Sequence, residues 1–218
     1  VLSAFRRVFE LDSNLPCNKP LLVVLSGPSG VGKDTVLQKM REMQIPMHYA
    51  ITATTRPKRP GEIDGYHYYF LSVEEFKKKI EQGEFLEYAN VYGNWYGSPK
   101  SPVIRALKEG KDVLLKLDVQ GARSVRKDFP EALLLFLAPP SIEWLKYHLR
   151  ARKTETPEKL RAREEAALEE LKAADEFDYV VLNRDNDVES VVREIVEIIN
   201  REKSSRCLGR PQESSVSR

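Results

Sequence analysis

The sequence is poor in sulfur, poor in histidine and free of long apolar runs. Its 218 residues include only 2 cysteines and 3 histidines. Cys17 and Cys207 stand near opposite ends, with no Cys-x-x-Cys and no clustered histidines. This excludes a structural zinc and a disulfide framework, and favours a reducing compartment. The longest apolar run, from Ala132 to Ala138, is far shorter than the ~20 residues that cross a bilayer, so no membrane partner is expected. A charge excess is lacking too: 35 Lys and Arg face 33 Asp and Glu, a formal net charge of +2. That balance argues against a nucleic-acid partner held by a global basic field, and leaves room for a local basic cleft.

What is present suits one α/β domain. Hydrophobic residues at 41% can build a core, and charged residues at 31% can cover it. The first residue is Val1 rather than methionine, as expected of a chain whose targeting segment is absent. Residues 1–18 read as a flexible N-terminal extension, and the Ser/Arg-rich residues 203–218 as a disordered tail.

Between these ends, apolar strands alternate with helices. Residues 21–25, 113–117, 133–137 and 179–182 read as strands, the first buried on both faces. Residues 33–42, 121–127, 142–151 and 157–173 read as helices, with a last one capped by Asp187. The alternation predicts a parallel sheet with helices on both sides. Residues 52–98 break the rhythm. Strands at 66–70, 85–91 and 95–97, around a helix at 73–81 opened by a capping box of Ser72 and Glu75, predict a mixed-β insertion suited to a second substrate.

A glycine-rich loop follows the first strand and opens a helix: Gly27, Pro28, Ser29, Gly30, Val31, Gly32 and Lys33. Such a loop turns backbone N–H groups toward phosphates, and its lysine reaches the β- and γ-phosphates. The next position should carry a hydroxyl for Mg²⁺, but here Asp34 precedes Thr35. A carboxylate can hold Mg²⁺ directly or through water, so Asp34 is the candidate metal ligand. Arg56 and Arg59 lie three residues apart among prolines, and guanidinium forks suit a phosphate monoester; Tyr68 and Tyr96 offer hydroxyls beside them. Glu87 sits within a strand pattern, so it faces either solvent or a binding pocket. One carboxylate can accept both N1–H and the amino group of guanine, and Ser98 can donate to its O6.

These motifs resemble the guanylate kinase family, P-loop phosphotransferases of the nucleoside monophosphate kinase type. The resemblance runs from about residue 19 to 199 through Gly-Pro-Ser-Gly-Val-Gly-Lys (27–33), Thr-Thr-Arg-Pro-Lys-Arg-Pro-Gly-Glu (54–62), Asp-Gly-Tyr-His-Tyr-Tyr-Phe (64–70), Phe-Leu-Glu (85–87), Tyr-Gly-Ser (96–98), Asp-Val-Gln-Gly (118–121) and Arg-Lys-Thr-Glu-Thr (152–156). It implies a kinase domain over 19–202, with a GMP-binding insertion at 52–98 and a helical lid at about 142–173. It implies transfer of the γ-phosphate of ATP to GMP, and to dGMP, with Mg²⁺ and a monomer as the working unit. By the same resemblance Arg56, Arg59, Tyr68 and Tyr96 hold the GMP phosphate, while Thr52, Glu87, Ser98 and Asp118 read the base. Glu62 supports that site through water, Arg152 and Arg163 close over the transferring phosphate, and Asn183 lies near the ATP adenine.

Two positions depart from the family pattern. Asp34 replaces the usual serine, and Lys116 replaces an acid two residues before Asp118. Either the two form one compensating change of charge, or Lys116 simply points to solvent. A loop ending in Gly-Lys-Asp is similar to that of the plant organellar branch, which implies a plastid or mitochondrial location, with the cytoplasm as alternative. Two rival readings are a phosphopeptide-binding scaffold module and a kinase for AMP or UMP. The intact Lys33 and lid arginines argue against the first, and Glu87 with Ser98 against the second.

Overall fold

The apolar runs at 21–25, 113–117 and 133–137 become buried strands because each places branched and long side chains on both sides of a sheet, whereas in the run at 179–182 only Val181 is buried. The computed structural model describes residues 19–91, 93–151, 157–184 and 187–207. The expected extension at 1–18 and the tail beyond residue 207 lie outside these. Strand β1 (Leu22–Ser26) is buried along its whole length. It is the middle strand of a five-stranded sheet in the order β2-β7-β1-β8-β9, with β2 at His48–Tyr49, β7 at Val113–Lys116, β8 at Leu133–Ala138 and β9 at Tyr179–Leu182. Both β2 with β7 and β8 with β9 pair in parallel. The chain divides into two compact units, the boundary falling inside β1.

The first unit comprises Pro20–Val24 and Pro46–Leu133. It carries a second sheet, ordered β4-β3-β6-β5, of β3 (Ala53–Thr54), β4 (Tyr69–Phe70), β5 (Phe85–Val91) and β6 (Asn94–Pro99). The pair β3–β4 is parallel, whereas β3–β6 and β5–β6 are antiparallel. Ala53, Phe76 and Phe85 form its buried cluster, with Leu71, Ile80 and Trp95 packed against it. Phe76 comes from the helix Val73–Glu81, whose N-terminus has the full capping box: Ser72 accepts from the Glu75 N–H and Glu75 accepts from the Ser72 N–H. Two further helices belong to this unit, Lys100–Lys108 and Val119–Asp128.

The second unit comprises Leu25–Ile45 and the chain from Leu134 onward. Its helices are Lys33–Glu42, Ile142–Arg150, Pro157–Leu171 and Val188–Cys207. In chain order over both units the helices are therefore α1 (33–42), α2 (73–81), α3 (100–108), α4 (119–128), α5 (142–150), α6 (157–171) and α7 (188–207). Ser141 caps α5 by accepting from the Trp144 N–H, and Asp187 accepts from the Ser190 N–H as α7 begins.

Several expectations are corrected. The strand expected at 66–70 is reduced to Tyr69–Phe70, because a turn precedes it: the Gly65 N–H bonds to the Tyr68 carbonyl and Asp64 accepts from the Phe70 N–H. Helix α3 and the short strands β2 and β3 had no strong sequence pattern. The helix expected to run to residue 173 ends at Leu171 and tightens into a 3₁₀ turn over Lys172–Glu176. Residues 203–207, expected in the tail, continue α7, where Glu202 is buried and accepts a hydrogen bond from Tyr179.

Candidate active site

The second unit holds the glycine loop. Gly27 has φ +137°, and a β-carbon there would run into the carbonyl oxygen of Leu137 in β8, so the turn out of β1 admits only glycine. Gly30 and Gly32 also have positive φ, 87° and 94°, which lets the loop wrap inward before α1 starts at Lys33. The Lys33 ammonium folds back to donate to the Gly27 and Pro28 carbonyls. Asp34 and Thr35 are exposed in the first turn of α1.

Two side chains of α6 grip this loop. The Ser29 N–H donates to Glu170 at 2.9 Å, and Arg163 donates to the Ser29 hydroxyl at 3.2 Å. Asn183, just after β9, is 5% exposed and donates to the Val31 carbonyl at 2.7 Å, while its Oδ1 is buried and accepts no hydrogen bond among the described residues. Thus Ser29, Val31, Lys33, Arg163 and Asn183 gather at one loop. Arg152 lies outside the described residues.

The first unit holds the arginine pair. Arg56 and Glu62 form a two-pronged pair, with Nη1 to Oε2 at 3.0 Å and Nη2 to Oε1 at 2.7 Å. The Arg59 N–H donates to the same carboxylate at 2.7 Å. Burial opposes the Arg56 charge, but the hydrogen bond and charge of Glu62 outweigh it and raise the guanidinium pKa further. Burial likewise acts against the Glu62 anion, yet the Arg56 fork and the Arg59 N–H hold its carboxyl below the usual range. Glu62 contacts Arg56 directly and aims the fork, as two rigid planar groups in register do.

Tyr68 stands beside this pair. Its ring centroid is 5.3 Å from the Arg56 guanidinium carbon and 6.3 Å from the Tyr96 ring. Lys116, at the end of β7, donates to the Tyr68 hydroxyl at 2.8 Å. The alternative that Lys116 simply points to solvent is therefore wrong: the side chain is half-buried and engaged with a candidate phosphate ligand.

The candidate base pocket lies in the same unit. An extra residue between Phe85 and Glu87 shifts the β5–β6 register, so the alternation fails and Phe85, Leu86 and Glu87 are all buried. Glu87 is 7% exposed, opposite Ser98 in the ladder, and accepts from the Ser98 hydroxyl at 2.7 Å. A serine hydroxyl has one hydrogen. Here that hydrogen goes to Glu87. Burial pushes the Glu87 carboxyl up to about 7; the Ser98 hydrogen bond opposes this and the Asp118 charge adds to it. Asp118 caps α4 through the Gly121 N–H at 2.7 Å. Thr52 is buried nearby in sequence to β3, and its carbonyl accepts from the Tyr69 N–H.

Three participants escaped sequence reasoning. Glu170 is 141 residues from Ser29, and nothing local marks it. The direct Arg56–Glu62 pair had a signal, opposite charges six apart in a proline-rich loop, but no periodicity to pair them. Gly121 had the signal of a glycine at a helix start.

A parallel sheet whose middle strand feeds a glycine loop and lysine, together with a separate arginine and carboxylate pocket, defines a P-loop phosphotransferase. The family model described as Guanylate kinase matches residues 19–202. The chain belongs to the guanylate kinase family. It is 47% identical over 186 residues to "Guanylate kinase" of Carboxydothermus hydrogenoformans, covering 85% of this chain and 90% of that one. It is 43% identical over 203 residues to "Guanylate kinase 2, chloroplastic/mitochondrial" of Oryza sativa subsp. japonica, covering 93% and 71%. The crystal structure of guanylate kinase from Anaplasma phagocytophilum superposes with a TM-score of 0.70 at 31% identity, covering 87% and 89%.

Proposed function

We propose that this protein is an ATP:GMP phosphotransferase, producing ADP and GDP, and that the residues gathered above divide into a donor and an acceptor site. The buried Glu87 carboxylate, held by Ser98, carries the acceptor assignment. Guanine presents N1–H and an amino group side by side, which a single carboxylate accepts as a pair. Adenine has no such pair of donors. Thr52 and Asp118 complete the base pocket, and Arg56, Arg59, Tyr68 and Tyr96 receive the 5′-phosphate. The same base and phosphate contacts serve dGMP, which we place beside GMP as an acceptor.

At the donor site the amides of Gly30 and Gly32 face the ATP phosphates, and the Lys33 ammonium turns from its loop carbonyls to the β- and γ-phosphates. The unpaired Asn183 oxygen is satisfied by an adenine amino group. Phosphoryl transfer involves little covalent work for the protein. It needs in-line placement and positive charge around the moving group. Lys33, Arg152 and Arg163 supply that charge, and α6 excludes water that would otherwise accept the phosphate.

Among the described residues no group of three or more His, Cys, Asp or Glu side chains could hold a metal ion. The exposed Asp34 carboxylate beside the glycine loop suits Mg²⁺, which keeps several waters and needs only one or two carboxylates plus substrate phosphates. Asp34 would hold the ion, which would supply charge neutralisation to the ATP phosphates.

A monomer in a plastid or mitochondrion completes the reading. The organelle rests on the name of the Oryza sativa relative, set against a bacterial one of higher identity. A coupled assay with ATP against GMP, dGMP, AMP, UMP and CMP, with and without Mg²⁺, tests the whole proposal. Turnover confined to GMP and dGMP in the presence of Mg²⁺ supports it, and preference for any other monophosphate overturns it. Light scattering and imaging of the full-length gene product test the oligomer and the compartment.

A further inference from the structure

Gly121 is the third residue of α4, and it is absent from the glycines that adopt positive φ. At an ordinary helical position alanine is the better helix former, because glycine loses more backbone freedom on folding. The backbone therefore gives no reason for glycine here. The reason lies in the neighbours a β-carbon would meet. It would stand 2.8 Å from Glu87 Oε2, 3.1 Å from Asp118 Oδ1 and 3.3 Å from Leu117 Cβ.

The Glu87 carboxylate has little freedom to yield. Its other oxygen accepts from Ser98 at 2.7 Å, its backbone is paired opposite Ser98 in the β5–β6 ladder, and its side chain is buried. The Asp118 oxygen is equally fixed, as the cap on the Gly121 N–H. Two carboxylates thus close on one bare α-carbon.

We infer that Gly121 is a specificity-determining position, its missing side chain forming the seat that fixes the Glu87 carboxylate at the height needed to pair with both N1–H and the 2-amino group of guanine. The inference rests on the reading that Glu87 recognises guanine. A methyl group at this position tilts the carboxylate, and a tilted carboxylate keeps one of two parallel hydrogen bonds. The loss falls on the 2-amino group. Inosine monophosphate, whose base is guanine without that group, is therefore the informative probe.

The experiment compares kcat/KM for GMP and for inosine monophosphate, together with the KM for ATP, in four proteins: wild type, Gly121→Ala, Glu87→Ala, and Gly121→Ala with Glu87→Asp. Gly121→Ala is expected to cut the GMP-over-inosine preference about tenfold or more, with the KM for ATP unchanged. The shorter side chain of Glu87→Asp withdraws the carboxylate from the new methyl and should restore part of the preference, which a merely structural role for Gly121 would not produce. Unchanged preference in Glu87→Ala overturns the guanine reading itself. Preference lost in Glu87→Ala but kept in Gly121→Ala overturns the role of Gly121 alone. If Gly121→Ala does not fold, the double variant decides: a folded protein with preference above that of Glu87→Ala supports the seat, and an unfolded or unselective one overturns it.

Discussion

Lys116 donates to the hydroxyl oxygen of Tyr68 at 2.8 Å. A phenol whose oxygen accepts from an ammonium can act on a further acceptor only through its own O–H, so Lys116 orients the Tyr68 hydroxyl. In the proposed acceptor site that hydrogen goes to the GMP phosphate. Lys116→Met preserves length and removes the donor. It should raise the KM for GMP about tenfold, the scale of one hydrogen bond to a charged group. Tyr68→Phe should do much the same, and the double variant little more than either. Additive losses in a double-mutant cycle on kcat/KM would show that the two side chains act separately.

The Arg56–Glu62 pair makes a pH prediction. Glu62 has a folded-state pKa below its unfolded value, so its contribution to stability is present above the unfolded value of ~4.3 and fades as pH falls through the folded one. The melting temperature of wild type should exceed that of Glu62→Gln at neutral pH, and the gap should narrow as pH falls below ~4.3. A gap that does not narrow at all on acidification would sever the stabilisation from the ionised carboxylate.

Glu87 has the opposite sign. Its folded-state pKa, about 7, lies above the ordinary value of ~4.3, so the folded protein binds this proton more tightly than the unfolded chain. Stability is full below the unfolded value and declines as pH rises toward the folded one. Glu87→Gln should therefore melt higher than wild type at pH 8 and gain less or nothing at pH 4. Guanine needs the ionised form. The wild-type KM for GMP should fall as pH rises through about 7, and that limb should vanish in Glu87→Gln, while the KM for ATP stays flat. A persistent limb in the variant would assign the titration to another group.

Glu170 holds the Ser29 N–H, and Arg163 holds the Ser29 hydroxyl. Glu170→Ala removes one of the two links between α6 and the glycine loop. It should raise the KM for ATP several-fold, consistent with losing about 1–2 kcal/mol, and leave the KM for GMP unchanged. An equal rise in both constants would mark a general loss of folded protein, which a thermal melt would also reveal.

The long elements were legible because their signals are local. The buried run of β1, the glycine loop with Lys33, and the Ser72–Glu75 box each declare themselves within a few residues. The two-residue strands β2 and β3 did not, since they are made by their partners and not by any pattern of their own, and β4 was read too long. Candidate ligands were readable as residue types, and the family motifs grouped them. What could not be read was who faces whom. Lys116 meeting Tyr68, Ser98 spending its hydrogen on Glu87, and Glu170 reaching Ser29 all depend on contacts between distant segments.

The extra residue between Phe85 and Glu87 in β5 also sets what kind of genetic change this strand tolerates. On one side of it Phe85 belongs to the buried cluster with Phe76, and on the other Glu87 accepts from Ser98 in the proposed base pocket. Deleting Leu86 would leave the hairpin long enough to form, yet make Phe85 and Glu87 direct neighbours whose side chains point to opposite faces of the sheet. Substitution tables weigh each position separately and would overlook this. Length variation in β5 should thus be scarcer than substitution at any one of its residues, and a deletion scan across 85–91 would detect it as lost base selectivity in protein that still folds.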